Sequence, residues 1–128
     1  ATPEPTSITD AYALLKSVNK RDDFDKTKHI KMITNRVGTA KEGKELFTKL
    51  DVVVKRFLDV EIDFLGAVPQ DSNVSKAVMR QVPFSIAYPN AQATIAVQTI
   101  ANKLLGNTTY AQKNKRGITY LFSKFMHK

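Results

Sequence analysis

Two short polar segments, each closing an apolar run, carry side chains with hydrogen-bonding and cationic chemistry, a weak signal for a ligand site when taken alone. Asn35-Arg36 ends HIKMITNRV, and Val68-Pro69-Gln70-Asp71 follows the apolar part of EIDFLGAVP. A carboxamide such as that of Asn35 offers a donor and an acceptor side by side, and the guanidinium of Arg36 offers a planar cation. Taken alone, the same residues are more often a turn former, a solvated charge, a strand stop and a helix cap. Other chemistry has little material. The chain has no cysteine, which excludes disulfides and thiolate zinc sites. Its two histidines, His29 and His127, lie far apart in sequence and give little support to a metal site or a Ser/His triad. No GxxxxGK[ST] loop is present, so nothing in the sequence cradles a phosphate.

A third set of residues suits a surface rather than a pocket. In GITYLFSKFMHK, Ile118, Leu121, Phe122 and Phe125 fall at helical spacing, and Met126 extends the stripe. Lys113, Lys115 and Arg116 precede it, and Lys124 and Lys128 flank it. An apolar face containing Phe and bordered by basic residues is the composition of a helix lying in a membrane interface. The alternative is that the stripe packs onto the body of the protein, as most amphipathic helices do. Charge is distributed accordingly. Of the net +8, none arises from residues 1–71, where 12 acidic and 12 basic side chains cancel; residues 72–128 contain no acid at all. Such asymmetry points to a polyanionic partner, an anionic membrane or a nucleic acid. The aromatic residues Phe122 and Phe125 sit on an apolar stripe instead of interleaving with the basic residues, which makes nucleic acid the weaker of the two.

The elements that position these residues follow from periodicity. Ile8, Ala11, Tyr12, Leu15 and Val18 mark a first helix, with Ser7 and Asp10 placed for a capping box. The mixed-charge stretch NKRDDFDKTK reads as a surface loop, and HIKMITNRV reads as a strand ending at Gly38. A second helix over 40–58 presents Leu46, Phe47, Leu50, Val53, Val54 and Phe57 on one face, with Gly43 weakening only its first turn. EIDFLGAVP is the second strand, Asp71 or Ser72 caps a helix to about Arg80, and QVPFSIAYPN reads as an extended crossing loop. A last helix carries Ala91, Ile95, Ala96, Ile100 and Leu104 and ends at Gly106. Strands alternating with amphipathic helices make this an α/β protein with parallel strands. Two strands bury too little for a comfortable domain alone, and the opening ATPEPTSITD reads as the turn after a strand, so the start of the fold is expected upstream. No run of about 18 apolar residues exists to span a membrane, and the amino terminus is not a secretory signal.

Four segments, ATPEPTSITDAYALLK, MITNRVGTAKEGKELFTKL, FLGAVPQDSNVSKAVMRQVPF and YPNAQATIAVQTIANKLLG, closely resemble, in order and spacing, the carboxy-terminal half of the MinD-like (ParA/MinD) P-loop ATPases, and among them the FlhG/YlxH group of flagellar-number regulators. The resemblance covers nearly the whole chain. It implies the carboxy-terminal portion of a MinD-like P-loop NTPase fold over residues 1–106, with few parallel strands, flanking helices and no P-loop half. Residues 107–128 are implied to be a basic linker and an amphipathic membrane-targeting helix.

The resemblance also implies a site. Asn35 matches the residue that hydrogen-bonds the purine in that family, Arg36 stands where a guanidinium can lie near the base, and Val68, Pro69, Gln70 and Asp71 match a second wall that contacts it mainly through backbone. The parent protein would bind ATP or ADP with magnesium and form an ATP-dependent homodimer, while this chain alone would hold no nucleotide tightly and would not hydrolyse it. Implied partners are anionic membrane lipid, an FlhF-like GTPase and the flagellar switch (C-ring) proteins. The implied location is cytoplasmic and peripheral on the inner face of the cell membrane. The competing readings are a basic nucleic-acid-binding module and a self-contained protein-interaction domain.

Overall fold

The computed structural model of the protein describes residues 1–25, 27 and 29–106. The expectations for 107–128, including Lys113, Lys115, Arg116 and the stripe from Ile118 to Met126, fall outside the described residues. The chain divides into two compact units, the first from Ala1 to Gln70 and the second beginning at Asp71.

The first unit is built from α1 (Pro5–Asn19), β1 (Ile30–Val37), α2 (Ala40–Phe57) and β2 (Ile62–Pro69). β1 and β2 pair in parallel, with Ile30 opposite Ile62 and Asn35 opposite Val68. Parallel neighbours need a crossover, and α2 supplies it. α1 starts earlier than a capping box at Ser7 and Asp10 would place it. Pro5 occupies the first turn, where its missing N–H costs nothing and its fixed φ already suits a helix. Ser7 therefore lies inside the helix, and its Oγ accepts the N–H of Thr2 at 2.9 Å instead of capping.

At the start of α2, Thr39 accepts the N–H of Glu42 at 3.1 Å, and the Glu42 carboxylate accepts the N–H of Gly38 at 2.9 Å. The inward face of the helix consists of Gly43, Leu46, Phe47, Leu50 and Val54. Val53 and Phe57 do not join it: they are 39% and 64% exposed. Val53 sits at the margin of the buried arc, and Phe57 is the last helical residue, where the guanidinium of Arg56 covers its ring at 5.4 Å. Gly43 does more than weaken a turn. A Cβ there would stand 2.6 Å from that of Ala67 and 2.7 Å from Oγ1 of Thr34, so its bare backbone lets α2 settle onto both strands. The core beneath α2 joins Leu15, Met32, Phe47, Leu50, Val54, Val60 and Ile62, each contributing on the order of 1.5–3 kcal/mol by burial. Beside it the rings of Phe47 and Phe64 meet at 5.1 Å, with the ammonium of Lys44 at 5.0 Å from both centroids.

The second unit holds α3 (Ser72–Met79), α4 (Phe84–Ala87) and α5 (Gln92–Leu104). The segment expected as an extended loop contains α4. One turn forms after Pro83, closed by the bond from Tyr88 N–H to the Phe84 carbonyl at 2.8 Å, and it ends because Pro89 bars Tyr88 from the helical region. In α5 the buried residues are Ala93, Thr94 and Ile100, whereas Ile95 and Leu104 are each 53% exposed. Thr94 faces inward instead and donates its hydroxyl to the Tyr88 carbonyl at 2.7 Å. α5 gives way at Gly106, whose φ of +95° suits a glycine after a helix end. Among the described residues, no helix is long and apolar enough to cross a membrane.

Candidate functional site

Parallel strands direct their carboxyl ends to one side of a sheet, which is where open α/β proteins bind ligands. In the first unit that side carries Asn35, Arg36, Val68, Pro69 and Gln70. Asn35 is exposed at the end of β1 and stands opposite Val68, which is buried; Val37 stands opposite Pro69. Arg36 is therefore an extra residue on β1, a bulge, and it takes the left-handed conformation with φ of +58°. That conformation costs a non-glycine residue roughly 1 kcal/mol, a strain that bulges near ligand sites tolerate in order to re-aim a side chain.

The re-aimed guanidinium reaches protein groups on both sides. Arg36 Nε donates to Oε1 of Gln70 at 3.1 Å, and Nη1 approaches Glu4 at 3.5 Å. Its main-chain N–H donates to Oδ1 of Asn35 at 2.9 Å. Gln70 is held a second time by its own N–H, which donates to the Val37 carbonyl at 2.8 Å. On the other main-chain face of Asn35, its N–H donates to the Ala1 carbonyl at 2.7 Å while the Ala1 amine donates to the Ile33 carbonyl at 2.9 Å. This alternation is the bond pattern of a parallel neighbour.

Asp71 opens the second unit and spends its carboxylate on main-chain groups. Oδ1 accepts the N–H of Asn73 at 2.9 Å, capping α3, and Oδ2 accepts the N–H of Ala93 at 3.0 Å in the first turn of α5. Those bonds, first that from Ala93 and then that from Asn73, hold its carboxyl below the usual carboxylate range. Ala91, the residue before α5, has no side chain able to cap, so one aspartate serves two helices.

Sequence reasoning assigned Gln70 a backbone role and missed Glu4. The first omission is intelligible, since nothing local ties Gln70 to Arg36. No signal in the sequence marks Glu4. A cleft of about 370 Å³ lined by Thr27, His29, Lys55, Leu58, Asp59, Val60 and Glu61 lies at the starts of the strands. That is the wrong end for a ligand of this architecture. There His29 bridges Asp63 through Nδ1 at 2.9 Å and Glu61 through Nε2 at 3.0 Å. Among the described residues, no group of three His, Cys, Asp or Glu side chains is arranged to hold a metal ion.

A two-stranded parallel sheet with flanking helices, carrying polar groups at its carboxyl ends, is an α/β architecture that matches part of a P-loop NTPase. Relatives narrow the class. The antiactivator FleN of Pseudomonas aeruginosa is 42% identical over 101 residues, covering 79% of this chain and 35% of FleN. An uncharacterized ATP-binding protein of Methanocaldococcus jannaschii is 36% identical over 124 residues, covering 97% of this chain and 42% of that protein. The flagellum site-determining protein YlxH of Helicobacter pylori is 28% identical over 128 residues, covering 98% of this chain and 42% of YlxH. No protein-family model matches the chain. The chain is related to the FlhG/YlxH-type, MinD-like ATPases and matches part of them, spanning between 35% and 42% of the length of these relatives.

Proposed function

We propose that the chain supplies the base-binding side of the nucleotide site in a flagellar regulator of the MinD-like ATPase type. Asn35 and Gln70, with Val68 and Pro69 behind them, hold the edge of the purine. The observation that carries this reading is the convergence of Asn35, Arg36 and Gln70 on the carboxyl ends of paired parallel strands. The donor set suits adenine. Carboxamide NH2 groups match the ring nitrogens that accept hydrogen bonds, and the second lone pair of a carboxamide oxygen matches the exocyclic amine that donates one. A relative described as ATP-binding supports the same ligand. The ATP phosphates would be held by groups that this sequence does not contain.

The second half of the proposal concerns residues 107–128. Their uncompensated basic side chains and the stripe Ile118, Leu121, Phe122, Phe125 and Met126 suit peripheral binding to anionic membrane. A single short helix of this kind binds marginally, and two tails brought together by nucleotide-dependent dimerisation would bind by avidity. FlhF-like GTPase and C-ring proteins remain the partners to test for a flagellar regulator.

The base site is tested by titrating the 128-residue chain with ATP while following assigned amide signals by NMR, which registers millimolar affinity. Shifts centred on Asn35, Val68 and Gln70, weakened about fivefold by Asn35→Ala, are expected. Shifts absent there at saturating ATP would refute the base-side assignment.

A further inference from the structure

We propose that Arg36 is the positioning residue of the base site, orienting both carboxamides so that each offers its NH2 group outward. This rests on the base-side reading above and goes beyond it, because it replaces stacking of the guanidinium with an orienting role and predicts which atoms of the base are read.

The orientation follows from donor chemistry. The main-chain N–H of Arg36 can only donate, so the atom of Asn35 that lies 2.9 Å from it must be the oxygen. The Nε–H of Arg36 likewise can only donate, so the atom of Gln70 at 3.1 Å must also be oxygen. The usual ambiguity between the two ends of an amide is thus removed at both residues by one neighbour. Each NH2 group is then the end turned away from Arg36, and among the described residues neither has a hydrogen-bond partner. Two donors at the strand ends select ring atoms that accept, which in adenine are its unprotonated nitrogens.

The backbone explains why an arginine performs both tasks. The bulge between the Asn35–Val68 and Val37–Pro69 pairs, with φ of +58°, turns the Arg36 N–H back onto its own neighbour and sends the side chain across to β2. Glycine would adopt this conformation without strain. A long side chain is retained there although it is the costlier choice, and its end is occupied by Gln70 and, at 3.5 Å, Glu4. The guanidinium therefore contributes through the residues it holds.

The test uses the 128-residue chain, ATP as the probe and the variants Arg36→Gly, Gln70→Ala and the pair. Arg36→Gly suits the backbone, so thermal stability is expected to hold while the Gln70 carboxamide loses its anchor and its NH2 signal sharpens with a low order parameter. Each single change should weaken ATP about fivefold, and the double variant should be no weaker than either single, because Arg36 acts through Gln70. Losses that multiply in the double variant, or a Gln70 carboxamide equally ordered without the guanidinium, would overturn the proposal. If wild-type ATP binding shifts no strand-end signal, the base-side reading fails and takes the positioning role with it. If wild type binds ATP and Arg36→Gly binds it equally well, the positioning role fails alone.

Discussion

Gly43 of α2 lies so close to Ala67 of β2 that a Cβ added to the glycine would stand 2.6 Å from that of the alanine. Neither atom is the movable end of a flexible side chain, so the helix itself would have to lift from the sheet. Alanine is the better helix former by about 1 kcal/mol, but overpacking of this kind costs roughly 1–3 kcal/mol or more. Gly43→Ala is therefore expected to lower stability in urea denaturation by about 1–2 kcal/mol. Unchanged stability would mean that α2 shifts freely over the strands.

Thr34 is fully buried in β1, and its Oγ1 has no hydrogen-bond partner among the described residues. An unsatisfied buried hydroxyl carries its desolvation cost without return, whereas valine has nearly the same shape. Thr34→Val should raise stability by about 1 kcal/mol, measured by thermal or urea unfolding. A loss of stability would show that the hydroxyl is satisfied in solution.

Asp71 links protonation to the second unit. Main-chain donors hold its folded carboxyl below the ordinary range, so the caps contribute fully at neutral pH, and the contribution is lost as pH falls through the folded value. Asp71→Asn keeps one acceptor and cannot satisfy both Asn73 and Ala93. It should lower Tm at neutral pH and flatten the decline of Tm between about pH 5 and pH 3. Equal acid sensitivity in wild type and variant would place the titrating group elsewhere.

The membrane reading has an equally direct check. The full chain should co-sediment with anionic liposomes at low salt, a chain ending at Asn114 should remain in solution, and Phe125→Ala should abolish pelleting. Binding that ignores Phe125→Ala but collapses with salt would point to a purely electrostatic, nucleic-acid-like mode.

Much of the scaffold was legible in order and type. Ile30 to Val37 declares itself as a short β-branched run, Ile62 to Pro69 as a short apolar run stopped by proline, Leu46, Phe47, Leu50 and Val54 as one helical face, and Asp71 as a cap, because strand and helix periods and turn chemistry are local properties. Where local signals competed, the reading slipped. Pro5 outweighed Ser7 at the start of α1, and Pro83 and Pro89 framed a helical turn where extension was expected. In α5, Thr94 is buried with its hydroxyl on the Tyr88 carbonyl while Ile95 is exposed.

By itself the sequence determined the alternation of strands and helices, the resemblance to MinD-like ATPases and the location of Asn35 and Gln70 at two strand ends. Only the tertiary structure decided what these side chains do to one another. Arg36 and Gln70 are 34 residues apart and meet because β1 and β2 pair in parallel with a register shift at Arg36. Gly43, Thr34 and Ala67 likewise become a single contact only once α2 has crossed the sheet. Periodicity along a chain specifies which face of an element is apolar; the register between elements, set by packing over the whole unit, specifies which polar atoms come within 3 Å or so of each other.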